Sequence, residues 1–67
     1  KMEASIGRIM KSRRSLGHND LVADVIRQLS SQFRPTPLQI KNRTVALIDR
    51  GYLKRSEESE NRYEYIA

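Results

Sequence analysis

Three stretches of helical hydrophobic period, a glycine stop after the third, and two short β-prone runs around a polar loop predict a mainly α domain closed by a small β-hairpin. With 67 residues, 37% apolar and 31% charged, the chain has material for one domain over 1–67 and only a small core. Met2, Ile6, Ile9 and Met10 fall within about 80° of one another on a helical wheel, which is the stripe of a first amphipathic helix. That helix fades between Ser12 and Ser15, and Leu16-Gly17 predicts a short extended link.

Leu21, Val22, Val25, Ile26, Leu29 and Phe33 share an arc of about 140°, predicting a second helix. Gly17, His18 or Asn19 is placed to cap its start, and Asp20 complements the positive end of its dipole. Thr36-Pro37-Leu38-Gln39 then reads as an N-cap, a proline at the first helical position and a capping-box glutamine. The inward stripe of this third helix is Ile40, Thr44, Leu47 and Ile48. Gly51 supplies its left-handed stop, with Tyr52 placed to fold back on Leu47. Residues 52–55 and 62–66 are β-prone and flank the polar loop 56–61. Three helices followed by a hairpin make a winged-helix arrangement, a three-helix bundle plus a wing.

Composition excludes several function classes. Without cysteine there is no disulfide, thiolate nucleophile or cysteine-ligated metal, and His18 alone cannot make a two-histidine site. No Gly-rich phosphate loop is present, so no catalytic residue, cofactor or metal is expected. No apolar run approaches the roughly 18 residues that span a bilayer, so a soluble domain with no membrane partner is expected. The chain opens on Lys1 with a helical pattern already under way, as in a fragment of a longer protein.

Thirteen Lys and Arg against eight Asp and Glu give a net charge of +5, which points to acidic partners. Most of it sits at the start, where Lys1, Arg8, Lys11, Arg13 and Arg14 face only Glu3. A winged-helix reader of DNA is the alternative function. Against it, the outer face of the third helix holds Leu38, Lys41, Asn42, Val45 and Asp49, a poor set for base edges. The wing loop carries Glu57, Glu58 and Glu60, which repel phosphates.

Lys11 lies about 155° from the centre of the first apolar stripe, so burying that stripe turns Lys11 to solvent. Arg8 and Arg14 flank it at i−3 and i+3, and Gly7 at i−4 leaves the surface beneath it bare. From charge alone this is an ordinary solvated helix face. His18 reads as a capping or packing residue, and Tyr52, Tyr63 and Tyr65 as hairpin and core packing.

The run Ile6-Gly7-Arg8-Ile9-Met10-Lys11-Ser12-Arg13 resembles the I-x-R-I-M-K-x-R segment near the end of cullins. Leu16-Gly17-His18-Asn19-Asp20-Leu21-Val22, Gln28-Leu29, Phe33-Arg34-Pro35, Ile40-Lys41-Asn42-Arg43 and Leu47-Ile48-Asp49-Arg50 follow the same family pattern in order. So do Tyr52-Leu53-Lys54-Arg55 and the closing Tyr63-Glu64-Tyr65-Ile66-Ala67, and the resemblance covers essentially the whole chain. It implies the C-terminal winged-helix domain of a cullin, a non-catalytic scaffold of multi-subunit ubiquitin ligases in the cytoplasm and nucleus. It also implies that Lys11 accepts a ubiquitin-like modifier through an isopeptide bond in neddylation, with Arg8, Met10, Arg13 and Arg14 as partner contacts around it. The implied partners are that modifier, a RING-finger subunit, a ubiquitin-conjugating or neddylation-conjugating enzyme, and the remainder of the cullin C-terminal region. Modification is implied to free this domain and the RING partner, activating the ligase.

The chain departs from the family pattern at position 7, usually Val, and at Thr44-Val45, usually Ile and an acidic residue. Thr44 puts a hydroxyl on the buried stripe, within reach of the Ile40 carbonyl. Val45 with Leu38 is either a small contact patch or two ordinary exposed apolar residues.

Overall fold

The computed structural model describes residues 2–29 and 34–66. In chain order the elements are α1 (Met2–Arg13), β1 (Ser15–Gly17), α2 (His18–Leu29), α3 (Pro37–Asp49), β2 (Leu53–Arg55) and β3 (Arg62–Tyr65). This is the expected winged-helix arrangement with one addition. The extended link at Leu16-Gly17 is an edge strand, and the sheet has three antiparallel strands in the order β1-β3-β2. Leu16 sits opposite Tyr63, and Leu53 opposite Tyr65. Phe33 lies outside the described residues.

Each helix buries the centre of the stripe its period marks out, with Met2, Val22, Ile26 and Ile48 partly buried at its edges. Ile6, Ile9 and Met10 from α1, Leu21, Val25 and Leu29 from α2, and Ile40 and Leu47 from α3 meet in one core, closed by Leu16, Leu53 and Tyr63 of the sheet. Among the described residues the helices bury two polar side chains, Thr44 and Ser5, each with its hydrogen bond met, besides Ser56 after β2. Thr44 Oγ1 donates to the Ile40 carbonyl at 2.8 Å, as its place on the stripe predicted. Ser5 Oγ donates to Gln28 Oε1 at 2.8 Å and ties α1 to α2. No helix among the described residues is long and apolar enough to cross a membrane.

Helix ends follow their local signals. Thr36 accepts from the Gln39 backbone N–H at 3.1 Å, while Gln39 Oε1 accepts from the Thr36 N–H at 2.9 Å, the reciprocal box that starts α3. At its other end Gly51 has φ +85°. Its N–H bonds to the Ile48 carbonyl and that of Tyr52 to the Leu47 carbonyl, both at 3.0 Å, which is a Schellman stop. Tyr52 thus folds back through its backbone, while the residue remains 57% exposed, so it does not pack in the core as expected.

Near α1 and α2, Arg14 departs from its expected helical place flanking Lys11, whereas His18 takes the packing role of the two expected for it. Arg14 does not continue α1: it takes φ 71°, donates its N–H to the Met10 carbonyl at 2.7 Å and accepts from the Tyr65 N–H at 2.8 Å. A non-glycine residue occupies the left-handed stop because its carbonyl is also the first rung onto β3. At the start of α2 the His18 ring packs edge-on against Tyr63, with Nδ1 2.9 Å from the Tyr63 hydroxyl. The His18 N–H donates to the Asn61 carbonyl at 2.6 Å, so its side chain serves packing.

Candidate functional site

Lys11 occupies the last turn of α1, opposite the side chains that enter the core. Ile6 and Met10 are fully buried and Ile9 nearly so, and the 3.6-residue period then forces position 11 outward. Lys11 is exposed and makes no hydrogen bond or ion pair with the described residues. Among the described residues nothing holds its amine.

The flanking residues divide. Arg8, one turn earlier, is exposed on the same side of α1 as Lys11, whereas Arg13, two positions on, is exposed about 200° around the helix from it. Arg14 is exposed too, but it has left the helix, and its guanidinium lies 5.4 Å from the Tyr65 ring centroid, an aromatic cation contact. Met10, expected among the partner contacts, is 0% exposed and belongs to the core. Its stripe position excludes it from the surface that Lys11 shares, so a docked protein cannot touch it without unpacking the domain.

A groove of about 510 Å³ runs beside Lys11 between α1, the end of α3 and the sheet. Ala4, Gly7, Arg8 and Lys11 form its helical wall, and Leu47, Leu53, Tyr52 and Tyr65 face them. At the far end Glu3 is held by Arg50 at 3.1 Å and Arg43 at 3.6 Å, which clamps α1 to α3. Gly7 leaves that wall open: a Cβ built there meets no heavy atom within 4 Å. Sequence reading marked the bare surface at Gly7 but not the groove, because its opposite wall comes from residues about 40 positions later. Nor did it mark Ser5 or the two-arginine clamp on Glu3, whose partners are equally remote.

The face expected to read DNA offers little to a duplex. Leu38 is 66% exposed, Lys41, Asn42 and Asp49 are exposed, and Val45 is half-buried. The loop glutamates Glu57, Glu58 and Glu60 are all exposed on the wing, where they oppose a phosphate backbone.

The family model described as the cullin protein neddylation domain matches residues 1–59. The chain belongs to the cullin family. It is 51% identical over 67 residues to Cullin-3 of Caenorhabditis elegans and 49% identical over 67 residues to Cullin-3 of Dictyostelium discoideum, covering 100% of this chain in both cases. It spans 9% of the length of those cullins. Its backbone also superposes on the Cdc53 winged-helix chain of the solved complex "A Dual E3 Mechanism for Rub1 Ligation to Cdc53: Dcn1(P)-Cdc53(WHB)". The TM-score is 0.93 at 38% identity, over 98% of this cullin chain and 76% of that one. The winged-helix reading therefore stands on a cullin fold, and the DNA-binding alternative is not favoured.

Proposed function

We propose that this chain is the C-terminal winged-helix domain of a cullin scaffold in a ubiquitin ligase, and that Lys11 is where a ubiquitin-like modifier is attached. What carries the reading is the exposed, unpartnered Lys11 on the last turn of a helix whose other face is locked in the core. The match to a neddylation domain and the ligation of Rub1 to Cdc53 in the similar solved complex support it.

The chemistry asked of the domain is presentation. At neutral pH a free lysine amine is almost wholly protonated, and only the neutral form is a nucleophile. One proton must leave Nζ for a base on the conjugating enzyme or for water. The amine then attacks the thioester carbonyl that joins the modifier to the enzyme, a C–N bond forms, the C–S bond breaks, and the nitrogen's second proton leaves with the sulfur as the enzyme thiol. No group among the described residues bonds to Nζ to take that proton, so deprotonation and orientation belong to the modifying enzymes. Arg8 one turn away, and Arg14 over the Tyr65 ring that lines the same groove, contribute a local positive field that steers an acidic enzyme surface to the helix end. In the full ligase, the bulky modifier displaces this domain from the rest of the C-terminal region and mobilises the RING-finger partner.

Lys11→Arg tests the assignment. It keeps the charge and the exposed helical position, so the fold is retained, while attachment in a reconstituted neddylation reaction is abolished. Undiminished attachment would place the acceptor on another lysine.

A further inference from the structure

The groove beside Lys11 has an occupant that chemistry delivers to it. This inference rests on Lys11 being the acceptor. Any modifier joined to Nζ brings its last few residues within a lysine's length of the groove, because Lys11 is itself part of the groove wall. We propose that the groove seats the C-terminal segment of the attached modifier, lying extended along α1 from Lys11 over Gly7 toward Ala4.

The dimensions agree. Lys11 and Ala4 are seven residues apart on one helix, which at about 1.5 Å per residue is roughly 10 Å of wall, the span of about three extended residues. Gly7 stands midway along that path, and its missing side chain leaves open space where any other residue would project. The half-buried Tyr65 offers the segment an aromatic floor over the buried Leu47 and Leu53, with the exposed Tyr52 at the rim. Of the cations lining the groove, Arg50 is engaged with Glu3, whereas Arg8 pairs with no described residue. Arg8 is thus free to donate to peptide carbonyls of the seated segment. Strong intrinsic affinity is unnecessary. A covalently tethered segment has an effective concentration on the order of mM, so contacts with a Kd of about 1 mM keep the groove occupied half the time or more.

The test compares backbone amide spectra of the unmodified chain with those of the chain linked at Lys11 to the modifier. Linkage is expected to shift the amides of Gly7, Arg8, Leu47, Tyr52 and Tyr65, and Gly7→Leu, which fills the wall, is expected to reduce the shifts beyond Arg8 at least twofold. A thermal melt of the Gly7→Leu chain confirms that it is folded. Shifts confined to Lys11 and its chain neighbours in a verified Lys11 product would overturn the groove assignment and leave the acceptor standing. Attachment at a different lysine would overturn the acceptor itself. Groove shifts that arise on adding the thioester-charged conjugating enzyme to the Lys11→Arg chain, with none added by linkage, would give the groove to the enzyme and also overturn the proposal.

Discussion

Replacing Gly7 and Gly51 by alanine gives opposite predictions from the same chemical change. At both positions an added Cβ meets no heavy atom within 4 Å, so neither substitution is decided by space. Gly7 lies in the interior of α1, where alanine is favoured over glycine by about 0.5–1 kcal/mol because it has less backbone freedom to lose. Gly51 holds φ +85°, where an L side chain costs about 1 kcal/mol or more. Unfolding entropy near 60 °C is about 2.1 cal/mol/K per residue, which for 67 residues makes about 0.14 kcal/mol/K. Gly7→Ala should therefore raise Tm by about 4–7 °C, and Gly51→Ala should lower it by about 7 °C or more. Thermal melts followed by circular dichroism at 222 nm read both. A lowered Tm for Gly7→Ala would mean that its backbone is not helical in solution. Shifts of the same sign in the two variants would refute the argument that backbone conformation, not packing, decides them.

Other consequences follow from single contacts. Tyr63→Phe removes the hydroxyl at His18 Nδ1 and should cost about 0.5–1.5 kcal/mol in urea unfolding, since His18 is only half-buried and water can replace the lost partner. Thr44→Val trades a buried hydroxyl for a methyl while the Ile40 carbonyl keeps its helical bond. Stability should stay within about 1 kcal/mol of the parent, whereas Thr44→Ser, which removes a buried methyl, should lose about 1 kcal/mol. A large loss with valine would show that the hydroxyl bond matters more than burial. Charge reversal at Arg8 and Arg14 should slow modifier attachment most at low ionic strength and little at 1 M salt. Equal slowing at all salt concentrations would sink the steering account.

Local chemistry made much of this domain legible before any coordinates. The capping box at Thr36 and Gln39, the glycine stop at Gly51 and the three apolar stripes involve residues within a few positions of each other, so periodicity and cap chemistry suffice to place them. The outward direction of Lys11 follows from the same period. The ordered family motifs then carry the reading from an exposed lysine to a cullin, a step that charge and periodicity alone do not make.

Tertiary structure decided what depends on distant partners. Leu16-Gly17 is a strand only because β3, some 45 residues later, arrives beside it with free hydrogen-bonding groups. Arg14 leaves the helix because its carbonyl is claimed by Tyr65, and Glu3 is committed because Arg43 and Arg50 swing across from α3. Met10 lies on the apolar stripe and next to Lys11 in the motif at once; helix neighbours point about 100° apart, so it cannot serve both the core and the Lys11 surface, and packing gives it to the core. The groove has the same origin. One wall is written into α1 at Ala4, Gly7 and Lys11, but a wall becomes a groove only when chain closure sets Tyr52 and Tyr65 opposite it, and no local pattern encodes that closure.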